Sequence, residues 1–259
     1  MSPRDHYPAG VPCWVDTLQP DPGSAAAFYA ALLGWEIVCD DDEGPSYLLA
    51  RLRGADVAGV AALPEGHAPG WITHVRVDDV EAAVATAEAA GATVALPPLD
   101  AAPAGRLAVL ADPGGARFAV WQPELRDGAM RVNEPGAWAM SALRTDDPEG
   151  AAAFYAAVFG WRAEAWGPVH LLRLPGYVGG TDQQPVPRDV VAVMAPLGPG
   201  DGQSRWDVDF RVADAAAVAA RAPELGGAVL AAPHARPPFL TAVLADPAGG
   251  AFSVSELAG

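Results

Sequence analysis

The residues with chemistry to offer recur at a spacing of two along short β-prone runs. Asp16 follows Trp14, Arg76 follows His74, and Asp207, Asp209 and Arg211 alternate along a single run. On a strand, residues two apart share a face. A histidine oriented by a carboxylate is a competent base near neutral pH. Two carboxylates crowded together drive their pKa values apart and leave an acid beside a base. His74 with Asp16, or Asp207 with Asp209, would therefore suit general acid–base work on an enolisable substrate: isomerisation, cyclisation or dehydration. Indoles such as Trp14 and Trp121, beside a few polar groups, would suit a planar or aromatic ligand. Each residue also has a plainer use. His74 can bond a backbone carbonyl, Asp16 can pair with His74 or Arg76, the indoles can be core, and the Asp207–Arg211 set can be a solvated network.

The elements that must position these residues are written twice. Asp21-Pro22 opens a segment containing Phe28-Tyr29 and closing on Gly34-Trp35; 126 residues later Asp147-Pro148 opens one containing Phe154-Tyr155 and closing on Gly160-Trp161. Trp71 to Gly91 recurs as Trp206 to Gly226, and Ala108 to Pro113 as Ala242 to Pro247. Three blocks in one order mean a duplicated domain, with a period far too long for a solenoid. In the first half, strand 11–18 leads to a helix capped by Asp21, with Pro22 in its first turn and Gly34 after its end. The pair Phe28-Tyr29, like Phe154-Tyr155, reads as packing between that helix and the sheet. Strands follow at 35–39, 46–52 and 57–63. The cycle restarts with strand 72–77, a helix at 79–90 stopped by Gly91, and strands at 93–96, 106–111 and 117–122. Asp112-Pro113-Gly114-Gly115 is a hairpin turn. Each half thus reads βαβββ twice, as domains 9–125 and 135–258 joined by a polar linker, 126–134. In the second half Pro223 should kink or shorten its helix, and 175–187, rich in Gly, Pro and Gln, reads as an excursion over a cleft.

A chain of 259 residues gives each half room for its own core. The net charge of −16 argues against nucleic acid or an anionic membrane surface as partner. All 16 basic residues are arginine, which excludes a lysine Schiff base. Cys13 and Cys39 make neither a disulfide framework nor a metal cluster, so a reducing cytoplasm is expected. The sequence shows neither a basic-then-apolar leader nor an apolar run of membrane-spanning length. A soluble cytoplasmic monomer or homodimer follows.

Paired βαβββ modules with an early Phe-Tyr helix, a Gly-Trp and a late Asp-Pro turn resemble the vicinal oxygen chelate superfamily, the glyoxalase I, bleomycin-resistance and extradiol-dioxygenase group. The resemblance covers nearly the whole chain and is closest to tandem two-domain glyoxalase-like proteins. It implies an α+β fold in which each half curls a mixed sheet into a cup, with helices outside. It also implies a divalent metal held by His or Gln, His, and Glu from three strands. Carried over by spacing, those positions are Trp14, Ile72 and Ala119, then Met140, Asp207 and Ser253. Asp207 alone could hold a hard cation well, so neither metal nor other cofactor is expected. Parity about these positions places Trp14, Asp16, Leu18, Ile72, His74, Arg76, Ala119 and Trp121 in the first cup. The second receives Met140, Ala142, Arg144, Asp207, Asp209, Arg211, Ser253 and Ser255. Cys13 has the opposite parity and should face the helices. Two functions stand side by side. The favoured one is a metal-independent protein that binds an aromatic or hydrophobic small molecule, such as a secondary metabolite or antibiotic. The alternative is a metal-independent lyase, isomerase or cyclase working through His74 with Asp16 or Asp207 with Asp209. The sharpest expectation is a ligand site in the first cup, anchored by His74 and Asp16 and walled by Trp14 and Trp121. Arg76, Met140, Arg144 and Arg211 are further ligand contacts.

Overall fold

The computed structural model describes residues 6–39, 47–64, 68–179, 186–198 and 202–258. Ser46 at the start of one expected strand, His67, and residues 180–185 of the 175–187 excursion lie outside them. The first half runs β1 (Pro12–Gln19), α1 (Pro22–Leu33), β2 (Glu36–Cys39), β3 (Tyr47–Leu52), β4 (Ala55–Ala62), β5 (Gly70–Arg76), α2 (Val80–Ala89), β6 (Thr93–Ala101), β7 (Gly105–Ala111) and β8 (Arg117–Pro123). The second repeats it: β9 (Trp138–Thr145), α3 (Pro148–Phe159), β10 (Arg162–Trp166), β11 (Val169–Arg173), β12 (Val190–Pro196), β13 (Arg205–Arg211), α4 (Ala215–Glu224), β14 (Ala228–Arg236), β15 (Phe239–Ala245) and β16 (Ala251–Leu257).

Local chemistry sets the helix ends. The Asp21 carboxylate accepts from Ser24 N at 3.1 Å and Asp147 from Gly150 N at 2.9 Å. Asp79 and Asp214 cap α2 and α4 in the same way. Each satisfies an amide that the helix leaves without a partner. Two expectations need correction. Pro223 does not shorten α4, which has 10 residues, as does α2; it lies in the last turn and α4 ends one residue beyond it. Strand β6 runs on past Leu96 through Pro97-Pro98, because as the outermost strand of its sheet it need not donate on its free side.

Each half builds its own eight-stranded sheet, ordered β2-β3-β4-β1-β5-β8-β7-β6 and β10-β11-β12-β9-β13-β16-β15-β14. The two βαβββ modules of a half therefore pair with one another, joined antiparallel along β1–β5 and along β9–β13.

Much of the duplicated sequence lies where the halves meet. Tyr29 Oη donates to Asp246 at 2.9 Å and accepts from Trp71 Nε1; Tyr155 Oη donates to Asp112 at 2.9 Å and accepts from Trp206 Nε1. Trp35 Nε1 reaches the Gly136 carbonyl and Trp161 Nε1 the Gly10 carbonyl. The Phe28-Tyr29 and Phe154-Tyr155 pairs are thus more than packing within a half, since they also touch Phe252 and Phe118 of the opposite half. Likewise, the Asp of each Asp-Pro turn accepts the other half's tyrosine. Burial, reinforced by the facing carboxylate, raises both phenols well above their ordinary pKa, so both stay protonated donors. The linker docks as well: Ala129 N donates to the Cys13 carbonyl at 2.7 Å, and Tyr7 Oη donates to the Ala129 carbonyl at 2.6 Å.

Candidate functional site

Strands β9, β13 and β16 lie side by side in the second half. Their register places Met140 and Ser253 on either side of Asp209, Ala142 beside Asp207, and Ser255 beside Arg211. All of these, with Arg144, line a cavity of about 590 Å³, a size that suits a small organic ligand. No residue of α3 or α4 lines it, so the helices cover the other face of the sheet, as strand alternation requires. The walls are chiefly apolar. Val169, Leu171, Val191 and Val193 come from β11 and β12, Trp166 from β10, and Pro237, Pro238 and Phe239 from the β14–β15 hairpin. Tyr177 and Val186, from the described ends of the 175–187 excursion, and Arg188 just beyond it add to the wall, as do Val11 and Pro12 of the first half and Val132, Asn133 and Pro135 ahead of β9.

The cavity floor is a charged network. Arg144 donates to Asp207 at 3.1 Å and Arg205 donates to its other oxygen at 2.9 Å. Ser255 donates a short hydrogen bond to Asp209 and accepts one from Arg211 at 3.0 Å. The Arg211 guanidinium also sits 4.5 Å above the Phe239 ring centre. Burial pushes the Asp209 carboxyl up to about 6, against the pull of the Ser255 bond and of Arg211 and Arg236. Asp209 is half-buried in the lining of the cavity. The Arg211 pKa is lowered by burial, with Asp209 opposing. The Arg236 pKa is lowered by partial burial and then by the like charge of Arg144. Arg236 is otherwise exposed and takes no hydrogen-bond or ion-pair partner among the described residues. Trp138 is 5% exposed, and its buried Nε1 has no partner among them either.

The first cup is assembled from the same positions but is filled. Trp14, Asp16, Ile72, His74 and Trp121 are all buried. Trp14 Nε1 donates to Tyr47 Oη at 2.8 Å, and Trp121 Nε1 donates to the Arg126 carbonyl at 2.9 Å. The Arg126 guanidinium lies 5.8 Å from the Trp14 ring centre. His74 Nε2 is 3.1 Å from Asp16 Oδ2, but off the line of a good hydrogen bond, so the contact is an ion pair at most; Nδ1 has no partner. Arg76 turns to Asp78. Two glycines make the filling possible: a Cβ on Gly59 would meet Tyr47 Oη at 2.0 Å, and one on Gly105 the Trp121 ring at 2.7 Å. The structure thus brings His74, Asp16, Trp14 and Trp121 together in a closed cluster. It brings Met140, Arg144, Asp207, Asp209 and Arg211 together around an open cavity. Trp138, Arg236 and Phe239 are additions. Trp138 shares the parity of Met140 and lies within reach of the alternation argument, whereas Phe239, on the cavity face of β15 with Thr241, and Arg236 beside it are brought there by cross-strand register.

The register also corrects the positions implied for a metal. Side chains that converge on one ion must be neighbours across strands, and the residue between Trp14 and Ala119 is His74, not Ile72; between Met140 and Ser253 it is Asp209, not Asp207. An indole, an imidazole and a methyl do not make a divalent site, nor do a thioether, one carboxylate and a hydroxyl. Among the described residues no three His, Cys, Asp or Glu side chains lie close enough to share an ion. The residues present do not fit the metal of such folds.

A family model for the glyoxalase-like domain matches twice, over residues 14–121 and 140–255. CFP32 of Mycobacterium tuberculosis, named provisionally as a glyoxylase, is 37% identical over 98% of this chain and 97% of its own. The anthracycline biosynthesis protein DnrV of Streptomyces peucetius is 34% identical over 97% of this chain and 94% of its own. Among solved structures, the Mn(II)-bound glyoxalase from Novosphingobium aromaticivorans superposes with a TM-score of 0.66 at 20% identity, over 97% of this chain and 83% of its own. The 2,3-dioxygenase LapB from Pseudomonas sp. KL28 gives 0.63 at 14% identity, over 97% and 94%. At these identities the two structures speak for the fold alone.

Proposed function

The chain belongs to the glyoxalase-like domain family of the vicinal oxygen chelate superfamily, as two domains in tandem, and on that premise we propose a metal-independent protein that binds an aromatic or hydrophobic small molecule in its second cup. The observation that carries this reading is the cavity of about 590 Å³, walled by valines, prolines, Trp166 and Phe239 over a polar floor. The relative named for anthracycline biosynthesis supports a planar ring system as the ligand. Acid–base chemistry is the second reading, favoured by the Asp209 carboxyl raised to about 6 beside Ser255 and Arg211. A carboxyl tuned in that direction exchanges protons readily near neutral pH. Among the described residues no helix is long and apolar enough to cross a membrane. The net charge of −16 supports a protein that engages neither nucleic acid nor an anionic membrane surface; a cytoplasmic monomer or homodimer is part of the same proposal.

The test is titration of the purified protein with anthraquinone, followed by tryptophan quenching, with elemental analysis of the same sample. Saturable binding without stoichiometric metal is expected. Met140→Trp places in the second cup the indole that Trp14 supplies in the first, and should weaken binding at least tenfold with little change in melting temperature. Binding unaltered by that substitution, or about one transition metal per domain, overturns the proposal.

A further inference from the structure

The polar groups of the second cup do not balance. Among the described residues four arginines line the cavity, Arg144, Arg188, Arg211 and Arg236, against three carboxylates, Asp207, Asp209 and Glu256. Every carboxylate is engaged: Asp207 by Arg144 and Arg205, Asp209 by Ser255, and Glu256 by the Ala215 amide at the start of α4. Of the arginines, Arg188 donates to the Gly179 carbonyl and Arg211 to Ser255. Arg236 is left without a hydrogen-bond or ion-pair partner among the described residues, and it feels the like charge of Arg144 ahead of the opposing attraction of Asp209. The Trp138 N–H is a second donor without a partner, enclosed where water has little access. In a chain of net charge −16, the cavity is a local excess of positive charge and of donors.

We infer that the ligand of the second cup is an aromatic acid, with its carboxylate seated against Arg236 and Arg144. Such a group relieves the repulsion between the two guanidiniums and gives Arg236 the planar, two-oxygen partner that it lacks. The nearby charge of Asp209 repels a dianionic phosphate more strongly than a monoanionic carboxylate in the same place. This inference rests on the second cup being the ligand site.

The test compares anthraquinone-2-carboxylate, its neutral carboxamide and anthraquinone-2-phosphate on the intact protein, by tryptophan quenching at pH 7.5. The carboxylate should bind at least tenfold tighter than the carboxamide or the phosphate. Arg236→Gln should abolish its advantage over the carboxamide, and Arg236→Lys should restore part of it. Because Arg236 is exposed, both variants should fold, and circular dichroism checks this. Equal binding of acid and amide, tighter binding of the phosphate, or an acid preference that survives Arg236→Gln overturns the inference while leaving the aromatic pocket standing. If none of the probes binds, the pocket reading falls and takes the inference with it.

Discussion

The two cups are one design carried to opposite ends. In the first, Trp14, Tyr47 and Trp121 project over the sheet, and Arg126 reaches back from the linker to close it. In the second, the matching register positions hold Met140, Val169 and Ser255. Three large side chains have become smaller ones, and about 590 Å³ opens. The polar pair changes with them: Asp209 stands at the position of His74 and Ala142 at that of Asp16, so the enclosed contact gives way to Asp209 and Asp207 two apart on β13, with arginines on both flanks. A sheet face is therefore not a site by virtue of its place in the fold. It becomes one when its side chains fall short of filling the space they enclose.

The comparison breaks most visibly at Trp14. Trp14→Ala should cost about 3–5 kcal/mol, as large-to-small changes in a close-packed core do, with ligand affinity in the second cup unchanged. Urea denaturation and ligand titration of one sample check both halves of the statement. A loss under 1 kcal/mol would mean that the first cup is less full than described, and a tenfold change in affinity would mean that it takes part in binding.

A smaller effect separates the buried acids. The Asp209 carboxyl is raised to about 6 in the folded protein, against about 4 in an unfolded chain. Its contribution to stability is therefore complete below pH 4 and is lost as pH rises through about 6. Two pKa units correspond to at most about 2–3 kcal/mol. Asp209→Asn should remove that component, so the difference in unfolding free energy between wild type and variant should shift in this direction between pH 4 and 7. Urea unfolding across that range is the measurement, and a difference independent of pH would refute the assignment.

The least effect is expected at the exposed end of the second cup's network. Arg205 is 39% exposed and shares Asp207 with Arg144. Arg205→Ala should cost less than about 1 kcal/mol, as solvent-screened pairs do, and leave the cavity open. A larger loss by thermal denaturation would show that Asp207 depends on both arginines.

Much of this was legible in the residues. Asp21, Asp79, Asp147 and Asp214 announce helix starts, and the strand alternation that grouped Met140, Ala142, Arg144, Asp207, Asp209, Arg211, Ser253 and Ser255 is the alternation of the cavity floor. The spacing argument slipped by two on β5 and β13, because bulges and cross-strand register are not written in the distance to a helix cap. The repeated blocks were legible as duplication, but not as the contact between the halves that they largely form.

The sequence by itself determined the duplication, the element order and the face of each strand, because caps, turns and alternation are decided within a few residues of one another. Only the tertiary structure decided which cup is open, which tyrosine meets which aspartate, and that Arg236 and Phe239 overhang the second sheet. Those outcomes depend on the summed volumes and charges of side chains far apart in the chain. Tyr47 and Arg126 fill the space beside Trp14, and nothing in the spacing of either from Trp14 marks it as the group that closes the cup.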